Sequence, residues 1–154
     1  MDPIVFFLRY EGAPTPSPIA PGVLGVSLKA TSCSLTTEIG AKAVKSTYKA
    51  IEGGAASAET VLTLTGDGVF IESGTIKFGD GSSWIKFDTV GQATLGAAAA
   101  KDYSAGCAVW KVVEGGGQFA GATGRITGNF IVTPKGVAVD NQVAVIFLAA
   151  KKKK

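Results

Sequence analysis

The chain has 154 residues, 46% of them hydrophobic and 18% charged, which is enough for one domain with a substantial core. Its net charge of +3 comes from the tail Lys151–Lys154, because the remaining 11 basic residues are outnumbered by 12 acidic ones. There are two arginines, Arg9 and Arg125, and no histidine. This composition argues against histidine-based catalysis, histidine-ligated metals and a basic nucleic-acid-binding face.

The termini and the cysteines predict the compartment and the absence of bound groups. Residues 4–8 are too short for the apolar core of a signal peptide, and no apolar run reaches the ~20 residues of a membrane span. Cys33 and Cys107 fit no CxxC or zinc spacing. We therefore expect a cytoplasmic protein with free thiols, no metal, no cofactor and no membrane partner. Residues 1–150 form one predicted domain, and Lys151–Lys154 form a basic tail.

The abundance of Gly, Val, Thr, Ile and Ala predicts an all-β chain with many turns. Residues 4–10 are predicted to form the first strand. Pro14, Pro16, Pro18 and Pro21 then predict an extended segment, which either covers a barrel mouth or simply connects two strands. The later predicted strands are 23–28, 43–51, 60–65, 69–78, 84–90 with an extension to 95, 106–113, 126–133 and 137–148. Between them, the ambiguous region 31–42 leaves open a short helix at 37–43.

A glycine-rich segment, residues 114–125, separates two predicted strands near the end of the chain. Its glycines match neither the Walker loop nor the GxGxxG spacing, and the residues after Arg125 alternate as a strand does, so a phosphate site is not predicted. Glycine tolerates positive φ and close backbone approach, which suits a tight crossing between strands. Phe119, its one large apolar residue, is predicted to fold back over the end of a core.

The same segment carries a family resemblance. The run Gly115-Gly116-Gly117-Gln118-Phe119-Ala120-Gly121-Ala122-Thr123-Gly124, between two strands, resembles the allene oxide cyclase and dirigent barrels, over roughly residues 105–148. The resemblance implies a single closed antiparallel barrel of about eight strands, with an apolar lumen and often a homodimer or homotrimer. The plant cyclase uses a carboxylate and polar side chains on other strands. We expect less than about 15% helix, well under the globular average.

Strand parity predicts which side chains enter the lumen, since alternate residues share a face. In residues 69–78 the polar set Ser73, Thr75 and Lys77 is predicted to face water, and the alternate set to face inward. The rule predicts these inward residues: Val44, Ser46, Tyr48, Leu62, Leu64, Phe70, Glu72, Ile76, Phe78, Ile85, Phe87, Ala108, Trp110, Ile126, Phe130, Asn141, Val143, Val145 and Phe147. A mostly apolar interior with a few polar groups is typical of a small-molecule pocket.

Two of the polar residues are candidates for catalysis. Glu72, between Phe70 and Phe78, would be desolvated, which raises its pKa and suits a general acid or base. Tyr48 is the second candidate. Alternatively, Glu72 reaches water near its strand end or pairs with a lysine, and Tyr48 is an ordinary barrel aromatic. The predicted substrate-binding residues are Phe70, Phe78, Trp110 and Asn141.

Two functions fit this interior, and the sequence does not choose between them. One is a cofactor-free isomerase or cyclase that folds a small, mainly apolar substrate in the lumen by shape, desolvation and one or two polar groups. The other is a non-catalytic carrier of a hydrophobic small molecule. A third interpretation is a solidly packed lumen in a purely structural protein. The predicted partners are a small apolar molecule and further copies of the chain, with no nucleic acid.

Overall fold

The computed structural model describes residues 3–12 and 15–150, so Pro14 and the predicted tail Lys151–Lys154 lie outside the described residues. Antiparallel pairing organises these residues into ten strands. The strands are β1 (Ile4–Gly12), β2 (Thr15–Ala20), β3 (Val23–Ile39), β4 (Val44–Gly66), β5 (Val69–Phe78), β6 (Ser83–Thr89), β7 (Ala93–Ala97), β8 (Ser104–Gly116), β9 (Thr123–Val132) and β10 (Ala138–Phe147).

Eight of these strands close into a barrel, in the order β1-β10-β9-β8-β6-β5-β4-β3, and β3 pairs back onto β1. The two others are additions: β2 pairs along β3, and β7 bridges β5 and β8. Within the described residues, helical structure is limited to one 3-10 turn, Gly117–Phe119. The predicted all-β class, the closed eight-stranded barrel and the low helix content are confirmed.

Turn chemistry explains much of this connectivity. Asp67-Gly68 joins β4 to β5 with Gly68 at φ +64°, a conformation that glycine adopts without steric cost. The proline-containing segment forms the edge strand β2, where missing backbone donors cost least. No helix in the described part of the chain is long and apolar enough to cross a membrane.

The core fills the barrel, with Ile76, Ile85, Ile126 and Ile146 almost completely buried. At one end Phe119 is buried against Phe78, with ring centroids 5.0 Å apart. The predicted role of Phe119 as a plug over the end of the core is therefore confirmed. Burying a phenylalanine side chain stabilises a fold by about 1.5–3 kcal/mol.

Beyond the barrel, β3 and β4 continue as a two-stranded hairpin, which we call the arm (residues 33–53). Among the described residues its strands pair only with each other, from Cys33 opposite Ala50 to Ile39 opposite Val44. The helix left open at 37–43 is wrong, because these residues form the strand ends and turn of the arm. The predicted inward positions of Val44, Ser46 and Tyr48 are also wrong, since the arm lies past the barrel end and all three are exposed.

Strand β10 is oriented opposite to the prediction. Gln142, Ala144 and Ile146 are buried in the interior, whereas Val143, Val145 and Phe147 are exposed and Asn141, on the same face, is half-buried. The parity rule selected the more apolar side as inward, and in β10 the more apolar side faces out. The inward predictions that fail for this reason are Asn141, Val143, Val145 and Phe147. Leu64 also fails, because it lies at the end of β4 and is exposed.

Candidate luminal site

Strand β5 places Glu72 in the barrel interior. Phe70, Glu72 and Ile76 alternate with exposed residues along the strand, as predicted. The Thr89 hydroxyl of β6 holds the backbone at this point: it accepts a hydrogen bond from the Glu72 amide and donates one to the Glu72 carbonyl, both at 2.7 Å. The position of the carboxylate is thus fixed by two neighbouring strands.

Around Glu72 lies a group of polar side chains that we call the luminal cluster. Its members come from β1, β4, β5, β8 and β10, and they are Tyr10, Thr60, Glu72, Trp110, Asp140 and Gln142. Thr60, Trp110 and Gln142 are buried, and so is Tyr10. One side-chain hydrogen bond of good geometry joins two members: Gln142 Nε2 donates to Asp140 Oδ2 at 2.7 Å.

Several buried polar atoms of the luminal cluster lack a hydrogen-bond partner among the described residues. They are the Tyr10 hydroxyl, Thr60 Oγ1, Trp110 Nε1, Asp140 Oδ1 and Gln142 Oε1. Thr60 and Trp110 are close enough to Glu72 to lower the pKa of its carboxyl, without reaching good hydrogen-bond geometry. Each buried polar group left without a partner costs about 1–3 kcal/mol. Such a concentration in one place needs an explanation.

The electrostatics of the luminal cluster favour protonated carboxyls. Burial raises the pKa of Asp140 to about 6, against a smaller lowering by the bond from Gln142. The pKa of Glu72 is raised to about 7. Burial is the main cause of this rise, and the nearby charge of Asp140 contributes to it. Burial and the two carboxylates raise the pKa of the Tyr10 hydroxyl. Burial therefore shifts both carboxyls toward the protonated form, Glu72 more than Asp140.

Two glycines pack closely against these groups. A Cβ placed on Gly128 would lie 2.7 Å from the Trp110 ring and 2.9 Å from Asp140 Oδ1. Gly74, the next inward position after Glu72 on β5, is similarly close to Thr60 and to the Phe87 ring. A side chain at either position would intrude between members of the luminal cluster and its walls.

A cavity of about 260 Å³ opens at the plugged end of the barrel, lined by Phe6, Leu8, Phe78 and Phe119 among others. Leu8 pairs in register with Gln142, and Tyr10 is the next inward residue after Leu8. Two residues along a strand span about 7 Å, so the cavity and the luminal cluster occupy adjacent layers of the interior. We call this opening the mouth.

A larger concavity, of about 580 Å³, lies against the outer wall and includes the exposed Glu59 and Lys86 in its lining. The Lys86 ammonium is paired with Glu114 at 2.6 Å, and Lys77 with Glu59 at 3.7 Å. Because Glu59 and Lys86 are exposed and already paired, this concavity is a weaker candidate than the luminal cluster.

The structure separates the six predicted site residues into two groups. Phe70, Glu72 and Trp110 face the interior near the luminal cluster, and Phe78 lines the mouth. Tyr48 and Asn141 lie on the outer surface, so their predicted luminal positions are wrong. The catalytic and binding roles of the four interior residues stay predictions.

On the outer surface, Tyr48 and Asn141 meet at Arg9. The guanidinium carbon lies 4.2 Å from the Tyr48 ring centroid, and Nη1 donates to Asn141 Oδ1 at 3.0 Å. Arg9 Nε also pairs with Glu11 at 3.2 Å. We call these four residues the outer Arg9 cluster.

Sequence reasoning missed Tyr10, Thr60, Asp140 and Gln142. Tyr10 could have been found from β1, where Phe6, Leu8 and Tyr10 share a face. Asp140 and Gln142 share a face too, but their polarity suggested that it was the wet one. The spacing of two residues correctly places Asp140 and Gln142 on one face of β10, and only the choice of that face as the outer one was wrong.

The described residues contain no group of three or more Cys, Asp or Glu side chains arranged to hold a metal ion. Cys33 is buried and Cys107 is exposed, and both are free thiols, as predicted.

Comparison with known proteins bears on the fold alone. No family model matches the chain, and no curated protein matches it by sequence. Among solved structures, a pterocarpan synthase dirigent protein superposes with a TM-score of 0.54 at 14% identity, over 100% of this chain and 91% of that one. The predicted likeness to dirigent barrels is therefore confirmed at the level of fold. The likeness to allene oxide cyclase specifically stays a prediction.

Proposed function

We propose that the barrel binds a small, mainly apolar molecule bearing one polar group at the luminal cluster, and that it directs the isomerisation or cyclisation of this molecule. The observation that carries the proposal is the set of unpartnered polar atoms around Glu72 in an otherwise apolar interior. The dirigent protein with the same barrel is named a pterocarpan synthase, which supports a role in handling small molecules.

The luminal cluster offers both hydrogen-bond donors and acceptors to such a polar group. Tyr10, Thr60 and Trp110 can donate, while Asp140 and Gln142 have a free acceptor oxygen each. A hydroxyl or carbonyl group of a ligand can therefore be held from more than one side, and its orientation is fixed. The apolar remainder of the ligand would extend toward the mouth, alongside the rings of Phe6 and Phe78, which contact each other edge to face.

The carboxyls supply the chemistry in this proposal. A general acid or base works best when its pKa lies near the operating pH, and burial brings Glu72 to about 7 and Asp140 to about 6. Glu72 would transfer a proton to or from the bound molecule, and ionised Asp140 would stabilise the positive charge that develops. Proton transfer of this kind changes no oxidation state, so the step needs no oxidant or reductant.

The second candidate function is a carrier that uses the same luminal cluster only for binding. It is favoured by the dense apolar packing of Ile76, Ile85 and Ile126 around the cluster, which leaves little room for a substrate to rearrange. Glu72→Gln separates the two functions: it should abolish turnover in an enzyme and leave the affinity of a carrier nearly unchanged.

Binding can be tested with a matched pair of probes, 2-naphthol and naphthalene, which differ by one hydroxyl group. We expect calorimetry to give roughly two- to tenfold tighter binding of 2-naphthol, because one hydrogen bond contributes about 0.5–1.5 kcal/mol. Tyr10→Phe should remove most of this preference. Tyr48→Phe is the control, since it deletes the same hydroxyl on the outer surface. Equal binding of both probes, or a loss of preference in Tyr48→Phe alone, would contradict the proposed site.

A further inference from the structure

Two donors of the luminal cluster are directed at Glu72. The Thr60 hydroxyl and the Trp110 indole both lower the pKa of the Glu72 carboxyl, although neither reaches good hydrogen-bond geometry with it. A donor that lowers the pKa of a carboxyl does so by stabilising its ionised form. These two donors therefore have an acceptor within the luminal cluster itself.

Three open atoms remain in the luminal cluster, and all three can accept hydrogen bonds. They are the Tyr10 hydroxyl, Asp140 Oδ1 and Gln142 Oε1, and none has a hydrogen-bond partner among the described residues. The other halves of the two β10 groups are already used, because Gln142 Nε2 donates to Asp140 Oδ2 at 2.7 Å. Carboxylate and amide oxygens only accept, and a tyrosine hydroxyl can accept as well as donate. The luminal cluster thus has a surplus of acceptors.

The three acceptors lie side by side in the interior. Tyr10 on β1 is paired in register with Asp140 on β10, and Gln142 is the next inward residue along β10. Tyr10 is 2% exposed and Gln142 is 7% exposed, so water reaches neither side chain freely. A group with several donors, placed between these strands, would satisfy all three acceptors at once.

The luminal cluster also lacks a positive charge in the part of the chain that the structure describes. Its titratable groups are Asp140 from β10, Glu72 from β5 and Tyr10 from β1. The other inward-facing side chains of β3, β4, β6, β8 and β9 are neutral. An opposite charge nearby favours the ionised form of a carboxyl, whereas burial alone disfavours it. A ligand that brings a cation would supply the missing charge.

We propose that the polar group of the ligand is a primary ammonium, held by Asp140 Oδ1, Gln142 Oε1 and the Tyr10 hydroxyl. This inference rests on the proposed function, because it specifies the class of ligand for the same site. An ammonium has three donors and no acceptor, which matches three open acceptors. Its hydrogen bonds to a carboxylate are roughly twice as strong as those between neutral groups.

The distance between the luminal cluster and the mouth indicates the length of the amine. Leu8, which lines the mouth, and Tyr10 are two residues apart on β1, a span of about 7 Å. A short carbon chain between an aromatic ring and the nitrogen matches this spacing. The ring would lie in the mouth beside Phe6 and Phe78, and the ammonium in the luminal cluster. The ligand class is therefore an arylalkylamine.

The test uses three probes of nearly the same shape that differ in one terminal group: 2-phenylethylamine, 2-phenylethanol and propylbenzene. Binding to the full chain is followed by the indole N–H NMR signal of Trp110, with Trp84, on the outer face of β6, as the internal reference. At pH 8 we expect the amine to bind at least tenfold more tightly than the alcohol, and the alcohol more tightly than propylbenzene. At pH 5 the amine should bind about tenfold more weakly than at pH 8, because Asp140, with a pKa of about 6, is then mostly protonated. The affinity of the alcohol should change little.

The charge of Asp140 can be removed without a change of shape. Asp140→Asn should reduce the affinity of the amine to that of the alcohol. Asp67→Asn is the matched control, since Asp67 is exposed in the turn between β4 and β5 and asparagine suits the same turn. An amine preference that persists in Asp140→Asn would show that the ammonium is bound elsewhere and would overturn the inference.

The wild type alone separates failure of the inference from failure of the proposed function. If the alcohol binds as tightly as the amine at pH 8, and both bind more tightly than propylbenzene, the ammonium assignment is wrong and the proposed function is retained. Equal binding of all three probes, or binding of none, would overturn the proposed function and the inference with it.

Discussion

The luminal cluster and the outer Arg9 cluster contain almost the same side chains in opposite environments. Each has a tyrosine, a carboxylate and an amide, but the outer one also has a guanidinium that bonds to Glu11 and Asn141 and stacks on Tyr48. Within the part of the chain that the structure describes, the luminal cluster has no cation, and polar atoms on Tyr10 and Gln142 lack hydrogen-bond partners. The pKa values of its carboxyls are raised. In the outer Arg9 cluster the polar side chains are hydrogen-bond or ion-pair partners of one another, and these contacts stabilise the surface. The polar groups left without partners inside the core are the basis of the proposed binding site.

The largest expected effect comes from the apolar residues that enclose the luminal cluster. Phe70→Ala should lower the free energy of unfolding by about 3–5 kcal/mol, because Phe70 is buried and packs against Phe130 with ring centroids 6.1 Å apart. The neighbouring Ile71→Ala, on the outer face, should cost much less, since Ile71 is 42% exposed. Urea denaturation of both variants measures the difference. Equal losses would mean that β5 does not present Phe70 to the core.

The face of β5 was predictable from the sequence, and the face of β10 was not, for a physical reason. In β5 the outward residues Ser73 and Lys77 are polar, so apolar and buried sides coincide. In β10 the apolar Val143 and Val145 face out, while Asp140 and Gln142 face in. Polarity therefore fails to predict burial in β10, where two polar members of the luminal cluster share the inward face.

The arm shows the same limit in another form. Its alternation of Val44, Ser46 and Tyr48 correctly predicts a strand with one apolar side. The alternation does not show whether the strand remains within the barrel. That depends on where β3 and β4 stop pairing with other strands of the barrel and pair with each other alone. The glycine-rich segment was sufficient to predict the closed barrel and the position of Phe119. The barrel followed from a resemblance in sequence pattern, and the position of Phe119 from local turn geometry.

The second prediction concerns pH and the missing cation of the luminal cluster. Glu72 and Asp140 have folded pKa values of about 7 and about 6, above their unfolded values. The folded state then binds more protons than the unfolded state, so stability is highest below about pH 4 and falls as pH rises through 6 and 7. Glu72→Gln should be more stable than the wild type at pH 8 by roughly 3 kcal/mol, and similar to it at pH 4.

Thermal unfolding followed by circular dichroism across pH 4–8 measures this dependence. Glu59→Gln is the control, since Glu59 is exposed on the outer surface. A wild type whose stability rises between pH 5 and 8 would show that the luminal carboxylates are charged and well compensated in the folded state.

The smallest expected effect lies in the outer Arg9 cluster. Arg9→Gln removes a partly exposed ion pair and a cation–π contact, each of which contributes up to about 1 kcal/mol. The loss in unfolding free energy should shrink in 1 M salt, where exposed charges are screened. A loss as large as that of Phe70→Ala would mean that the cluster is essential to the barrel rather than a surface contact.

The most direct measurement is a titration of the Glu72 carboxyl carbon by ¹³C NMR in the full chain, with Glu72→Gln to assign the signal. Burial without a cation predicts a midpoint of about 7 for Glu72, preceded by that of Asp140 at about 6. A midpoint near the unperturbed ~4.3 would contradict the account, because a carboxylate with that pKa is solvated or already paired. Such a carboxylate would not exchange a proton near neutral pH, and it would not be an unpaired group that a ligand could bind.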